Sequence, residues 1–374
     1  MREGWKEVSF EKSIEKVKKQ TSVKSKDYKE KGLFPIVSQE SSLISGYYDD
    51  ETLLYQHQKP VVIFGDHTKN IKYIDFDFIV GADGVHILSP IKELNPKFFY
   101  YQLCSIKLRH LGYARHYKLL KECNIAIPSL EEQHRIVELL DAEFAKIDAI
   151  KANAEKQLQD AKDYYEKELD LLLRPKEYWE SYKLGDCFIT INNGANIKQI
   201  KEASGIPITR IETLSKGVFN ADRLGYANID NPSKYERYIL RDGDLLMSHI
   251  NSVDFVGRTI VYHNQLPILI HGMNLLRLVP NDVALSDFYY YLFKSKWVKS
   301  QIRAITHKSV NQASLNTTAL KQIDLFVPKK EEQLYIISKL NKLDELCMSL
   351  LFNFEKTITL CNDLKQSILK DIFG

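Results

Sequence analysis

The sequence predicts an α+β chain of mixed α/β globules: two globules, two long antiparallel helices and an internal pseudo-two-fold repeat. Three observations predict it. The segment Ile125-Ala-Ile-Pro-Ser-Leu-Glu-Glu-Gln-His-Arg-Ile136 returns as Ile323-Asp-Leu-Phe-Val-Pro-Lys-Lys-Glu-Glu-Gln-Leu-Tyr-Ile336, with Pro128 and Gln133 matched by Pro328 and Gln333. Each copy opens a stretch of some forty residues whose apolar positions step by three or four. Ahead of each copy lie short apolar runs ended by glycine, as in strands, and one aromatic-rich helical run. The boundaries that follow are 1–128 for the first globule, 129–174 for its helix, 175–328 for the second globule and 329–374 for the last helix.

In chain order, Lys16, Lys18 and Lys19 form a charge run that reads as a solvated helix face. Gly46-Tyr-Tyr-Asp-Asp50 is a turn signal. Pro60–Gly65 and Phe76–Gly81 read as strands, and Asn95–Cys104 as a helix with Asn95 as N-cap. In the second globule Asn192-Asn-Gly194 and Asn281-Asp282 are turn signals. There Asp244–Ser248, Arg258–Tyr262 and Leu275–Val279 read as strands, and Ser286–Phe293 as a helix with Ser286 as its N-cap candidate.

The repeat extends back from its best-matched segment. Trp5 aligns with Trp179, Phe34-Pro-Ile-Val37 with Ile206-Pro-Ile-Thr209, and Phe98-Phe-Tyr-Tyr-Gln-Leu103 with Phe288-Tyr-Tyr-Tyr-Leu-Phe293. The offset grows from 174 at the tryptophans to 200 at the helix openings, so the second half carries extra loop, mostly between Lys216 and Asp244. The halves share a skeleton and differ between skeletal positions, the pattern of one scaffold carrying two recognition surfaces.

The long helices carry an apolar stripe at Ile136, Leu140, Phe144, Ile147, Ile150, Ala154, Leu158, Ala161, Tyr165, Leu169 and Leu172, and at Ile336, Leu340, Leu343, Cys347, Leu350, Phe354, Ile358, Cys361, Leu364, Ile368 and Ile372. Forty-odd residues span roughly 60 Å. A stripe that long needs a partner of equal length, and the other copy supplies one. Glu-Glu in each first turn suits the helix dipole.

Charge separates the parts. Residues 1–128 hold twenty Lys/Arg against sixteen Asp/Glu, and 175–328 hold eighteen against fourteen. The first helical segment holds seven against twelve, and the last seven against seven. A nucleic-acid surface belongs on the basic globules and a protein surface on the helices. The five cysteines form no CxxC pair, which reads as reduced thiols in a cytoplasmic protein. The N-terminus lacks a signal core and no apolar run reaches membrane length, so no membrane partner is expected.

Catalytic motifs are missing from the sequence. There is no Walker loop, no GxGxxG and no N-P-P-[YF]; the nearest string, Asp230-Asn-Pro-Ser-Lys-Tyr235, reads as a turn. Asp66-His67 and Asp83-Gly-Val-His86 read as cap or turn elements, leaving neither catalytic nor metal residues to name. The alternatives are a coiled-coil scaffold without DNA readout, which leaves two different basic globules unexplained, and a DNA-modifying enzyme in its own right.

The duplicated I-x-[IF]-x-P-x-x-E-E-Q-x-x-I junction, the long helix after it, the leading tryptophans and the stretches Gly112-Tyr-Ala-Arg-His-Tyr-Lys118 and His307-Lys-Ser-Val-Asn-Gln312 resemble the specificity subunit of type I restriction–modification systems over the whole chain. The resemblance implies a non-catalytic subunit with two target-recognition domains. Each would read half of a bipartite site in double-stranded DNA, with the helices as spacer. It implies two methyltransferase subunits and restriction–translocase subunits as partners. S-adenosylmethionine, ATP and Mg²⁺ are then expected on those partners, with no cofactor on this chain. Base edges are addressed by Arg, Lys, Asn, Gln and His on loops. The candidates are His67, Lys69, Lys72, Arg115, His116 and Lys118 in the first globule, and His249, Asn251, Arg258, His307, Lys308, Asn311 and Gln312 in the second. Tyr113 and Tyr117 are candidates for sugar or phosphate contacts.

Overall fold

A computed structural model describes residues 4–109, 112, 114–200, 205–229, 231–308 and 312–374. The chain forms two compact units, Met1–Gln157 with Asn353–Gly374, and Leu158–Phe352. Each long helix, Leu130–Leu172 and Lys330–Phe373, contributes residues to both units.

In the first unit an antiparallel sheet runs in the order Ile14–Glu15, Val85–Pro90, Val61–Gly65, Ile71–Ile74. In the second unit Phe188–Asn193, Leu275–Pro280, Leu245–Ser248 and Thr259–Val261 take the same order. Each globule is closed by a two-stranded ribbon of matching register. Lys6 faces Ile127 and Ser9 faces Asn124, while Glu180 faces Val327 and Lys183 faces Asp324.

The aromatic runs fold as helices Pro96–Ser105 and Ser286–Lys294 and fill the cores. Trp5 meets Phe98 edge-on at 5.9 Å, and Trp179 meets Phe288 at 6.2 Å. Each helix then docks on a long helix through a tyrosine hydroxyl. Tyr101 donates to Asp141 at 2.5 Å, and Tyr291 donates to Asp344 at 2.8 Å. Lys97 and Lys294 add ion pairs to the same carboxylates.

The conserved step from proline to glutamine within the chain has a common geometry. Gln133 is fully buried; its Oε1 accepts from the Asn95 N–H at 2.7 Å, and its Nε2 donates to Glu93 O and Pro128 O at 2.9 Å. Gln333, equally buried, accepts from the Leu285 N–H at 2.9 Å and donates to Val283 O at 3.2 Å and Pro328 O at 2.8 Å. One amide thus ties the start of a long helix to the loop before the aromatic helix. It also satisfies three backbone groups, of which the proline carbonyl is bonded in a buried position.

Within each unit the long helices cross antiparallel. In the first, Asp148 pairs with Lys365 at 2.5 Å and Lys151 donates to Asn362 at 3.0 Å, while Ile136 and Leu140 share a core with Leu369. In the second, Leu169 and Leu173 share a core with Ile336 and Leu340.

The local expectations need four corrections. Lys16, Lys18 and Lys19 lie in irregular chain after the strand Ile14–Glu15, because no apolar stripe accompanies the charges. Gly46–Tyr48 is a strand on Phe34–Val37, and Asp50 caps the 3-10 helix behind it. Asn192 and Asn193 continue a strand opposite Arg277 and Leu276, so ladder bonds outweigh the turn signal. Ser286 lies inside its helix and donates to Gly243 O, leaving Leu285 at the cap position.

Replacing Gln333 by leucine keeps the volume but removes the partner of one buried and two half-buried backbone groups. At about 1–3 kcal/mol for a buried group left unsatisfied, and less for the half-buried ones, the second unit should lose about 2 kcal/mol or more. The exposed Glu132–Arg135 pair is the control, where Arg135→Ala should cost less than about 1 kcal/mol. Urea unfolding measures both; equal effects would show that the amide is not a structural tie.

Candidate nucleic-acid interface

In the first unit the hairpin Val61–Gly65/Ile71–Ile74 presents the loop 66–70. Gly65 is required by closeness of packing, because a Cβ there would sit 2.4 Å from Thr68 Oγ1 and 2.9 Å from Gln39 Cβ. Asp66 is buried and organises the loop. Its Oδ1 accepts from the Tyr117 N–H at 2.8 Å, and its backbone oxygen accepts from the His116 N–H at 2.8 Å and lies 3.0 Å from His116 Nδ1. His86 Nε2 stands 3.4 Å from Asp66 Oδ2, and the His86 ring stacks on Tyr117 at 3.8 Å. Gln39 joins a third loop to this one, accepting from the His67 N–H and donating to Asp83 O.

The sequence-derived candidates therefore sort by depth. Arg115, with 83% of its side chain exposed, and Lys118 face solvent beside the loop. His67, Lys69 and Tyr117 are half-buried, and Lys69 holds a left-handed backbone, φ 61°. Such strain is found where surrounding structure over-determines a functional loop. His116 and Lys72 are corrected by burial. His116 has no exposed surface, and the Lys72 ammonium donates to Ser38 O at 2.8 Å and Ser42 O at 2.5 Å. Burial holds the Lys72 pKa below that of an ordinary lysine. Both residues support the surface from beneath and have no edge to offer a base. Tyr113 lies outside the described residues.

In the second unit the candidates are gathered by a small sheet in the order Ile250–Asn251, Ala313–Leu315, Thr306–Lys308. Its rows place Asn251, Ala313 and Lys308 in line, and Ile250, Ser314 and His307 in line. Sequence positions some sixty apart thus meet on one surface. His307, Lys308 and Gln312 are exposed; Asn311 lies outside the described residues. Asn251 Nδ2 donates to Ser248 Oγ and its Oδ1 accepts from the Ser252 N–H, so this side chain shapes the loop. Arg258 stacks on Phe255, with its guanidinium 4.2 Å from the ring centre. His249 is the third correction: it is buried, its carbonyl accepts from the Leu315 N–H, and burial lowers its pKa.

Sequence reading missed His271, Asp244 and Arg277 in the second unit. Arg277 pairs with Asp244 at 2.6 Å, both buried. His271 Nε2 lies 2.9 Å from Leu275 O and is assigned as the protonated ring nitrogen donating to it. Gln39 was missed in the first unit, and Asp66 was read only as a cap or turn element. Asp66 had one signal, its place directly after a strand-ending glycine; Gln39 had none.

Among the described residues no helix is long and apolar enough to cross a membrane.

The family model for the type I restriction modification DNA specificity domain matches residues 2–160 and 176–368, and the chain belongs to that family. The chain is 36% identical over 198 residues to a putative type I restriction enzyme MjaX specificity subunit of Methanocaldococcus jannaschii, covering 53% of this chain and 46% of that protein. It is 28% identical over 266 residues to the type I restriction enzyme StySPI specificity subunit of Salmonella potsdam, covering 67% and 57%. The chain thus spans about half the length of these curated relatives. A solved structure described as the basis of complex assembly and conformational transition of the type I R-M system superposes with a TM-score of 0.73 at 19% identity. That match covers 100% of this chain and 98% of the other, and shows the shared fold.

Burial, with smaller repulsion from Arg277 and His249, lowers the His271 pKa from 6.5 to about 4. The unfolded chain therefore binds a proton that the folded unit refuses. Stability is full above pH 6.5 and is lost as pH falls towards 4; at 1.36 kcal/mol per pH unit this is about 3 kcal/mol. Urea midpoints at pH 7 and pH 4.5 should differ less in His271→Gln than in the unaltered chain. An unchanged difference would remove His271 from the account.

Proposed function

We propose that this chain is the DNA-specificity subunit of a type I restriction–modification assembly, each globule reading one half of a bipartite duplex site. One observation carries the reading. The two units share ribbon register, sheet order and glutamine tie, yet present unrelated sets of exposed polar side chains on their loops. Arg115 and Lys118 beside the 66–70 loop, and His307, Lys308 and Gln312 on the small sheet, suit groove edges and phosphates.

The chain recognises and does not catalyse. The sequence lacks the N-P-P-[YF] signature, and Asn231, in the string nearest to it, caps the 3-10 helix Pro232–Tyr238 by accepting from the Ser233 N–H. S-adenosylmethionine, ATP and Mg²⁺ belong to partner methyltransferase and restriction–translocase subunits. Apolar residues left exposed on the long helices, among them Leu334, Tyr335, Met348 and Phe352, support a protein-facing role for those helices.

The purified chain should transfer no methyl group by itself, and should direct site-specific methylation when mixed with its methyltransferase subunit. Replacing Lys308 and Gln312 together by alanine should weaken one half-site at least tenfold, since a good bidentate base contact is worth about 1–3 kcal/mol. The other half's sequence preference should stay intact. Methyl transfer by the isolated chain, or loss of both half-sites together, would contradict the reading.

A further inference from the structure

The loop between Leu245–Ser248 and Thr259–Val261 differs in kind from its counterpart in the first unit. There five polar residues, Asp66 to Asn70, join the strands. Here the connection runs from His249 to Arg258 and carries Val253 and Phe255, 38% and 41% exposed. The loop is tightly built. Phe255 N and Val256 N donate to Ser252 O, Arg258 N donates to Phe255 O, Gly257 N donates to Ser248 O and Ser248 N donates to Arg258 O. Gly257 has φ 82°, and a Cβ there would meet Ile302 Cγ2 at 2.9 Å, so the return of the chain depends on glycine. The Asn251 amide bonds both the Ser248 hydroxyl and the Ser252 N–H. An exposed phenyl group on a loop this constrained loses little freedom on binding.

Arg258 completes the arrangement. Its guanidinium lies 4.2 Å over the Phe255 ring and is half-buried, which lowers its pKa. Among the described residues its donors meet no acceptor, whereas buried Arg277 has Asp244 and Arg237 O. A stacked fork with no protein acceptor among the described residues is set for a planar pair of acceptors. In the major groove guanine O6 and N7 supply that pair, and an apolar ring edge suits the C5-methyl group of thymine.

We propose that Phe255 and Arg258 form one composite reader, with the phenyl ring on the methyl group of a thymine and the guanidinium on an adjacent guanine in the half-site of the second unit. This rests on the DNA-recognition reading above and names chemistry within it.

The test uses the full chain assembled with its methyltransferase subunit. A randomised duplex library defines the bound motif for the unaltered chain. Each thymine in the motif is then replaced singly by deoxyuridine, which removes only the methyl group. One thymine, next to a guanine, should be sensitive. Burial of one methyl is worth about 0.8 kcal/mol, a loss of about four-fold. In Phe255→Ala the same replacement should have no effect, and Arg258→Lys should relax selection at the neighbouring guanine. A motif with no methyl-sensitive thymine, or equal sensitivity in Phe255→Ala, overturns the composite reader while leaving DNA recognition standing. Failure of the unaltered complex to enrich any motif overturns both.

Discussion

Gln133 and Gln333 hold the interaction on which the rest depends. A long helix is useful to a globule only if it starts at a fixed place and angle. Proline ends the preceding strand, and the amide five residues later bonds back to that proline's carbonyl and across to the loop before the aromatic helix. With those ends fixed, tyrosine hydroxyls reach carboxylates two or three turns along the long helix. The tryptophans, packed edge-on against the aromatic helices, fix where each globule begins. The buried glutamine amides have their oxygen and nitrogen both bonded, the condition under which burial of polarity specifies a structure instead of weakening it.

The same rule explains the buried charges of each unit. Lys72 and Asp66 in the first unit, and Asp244 with Arg277 in the second, are charged groups removed from water. Isolated, each would carry a large desolvation cost. Here Lys72 is held by two carbonyls, Asp66 by a backbone N–H and Asp244 by Arg277. Lys72 reaches from its strand to Ser38 and Ser42, and Asp66 reaches to Tyr117, so these two groups fix loops against the sheet, while Asp244 and Arg277 join neighbouring strands. Exposed residues such as Arg115 and Lys308 can then differ freely between units without disturbing the frame.

Much of the frame was legible in the sequence. The Pro–Gln step, the Phe-Phe-Tyr-Tyr and Phe-Tyr-Tyr-Tyr runs and the stripes of the long helices repeat because both copies solve one packing problem. The site was legible only in part. Residue type and loop context pointed to His116, Lys72 and His249, but depth is decided by contacts distant in sequence. Asp66 reaches fifty residues ahead to Tyr117, and Lys72 reaches thirty or more back to Ser42 and Ser38. Local turn signals failed at Asn192 and Gly46 because a partner strand, distant for Asn192 and about ten residues back for Gly46, supplied ladder bonds that outweighed local preference. The gathering of His307, Lys308 and Asn251 by the small sheet had no sequence signal, since its strands are only two or three residues long.

The central claim is that one skeleton carries two independent readers. Matching registers at Lys6/Ile127 and Glu180/Val327 define equivalent splice points. The most direct measurement places a second copy of residues 5–128 in place of 179–328, and maps methylated adenines genome-wide in cells that also carry the methyltransferase subunit. A folded chimera should direct methylation to sites containing the first half-site twice. Continued methylation at the original asymmetric sites, or methylation without sequence preference, would contradict the claim.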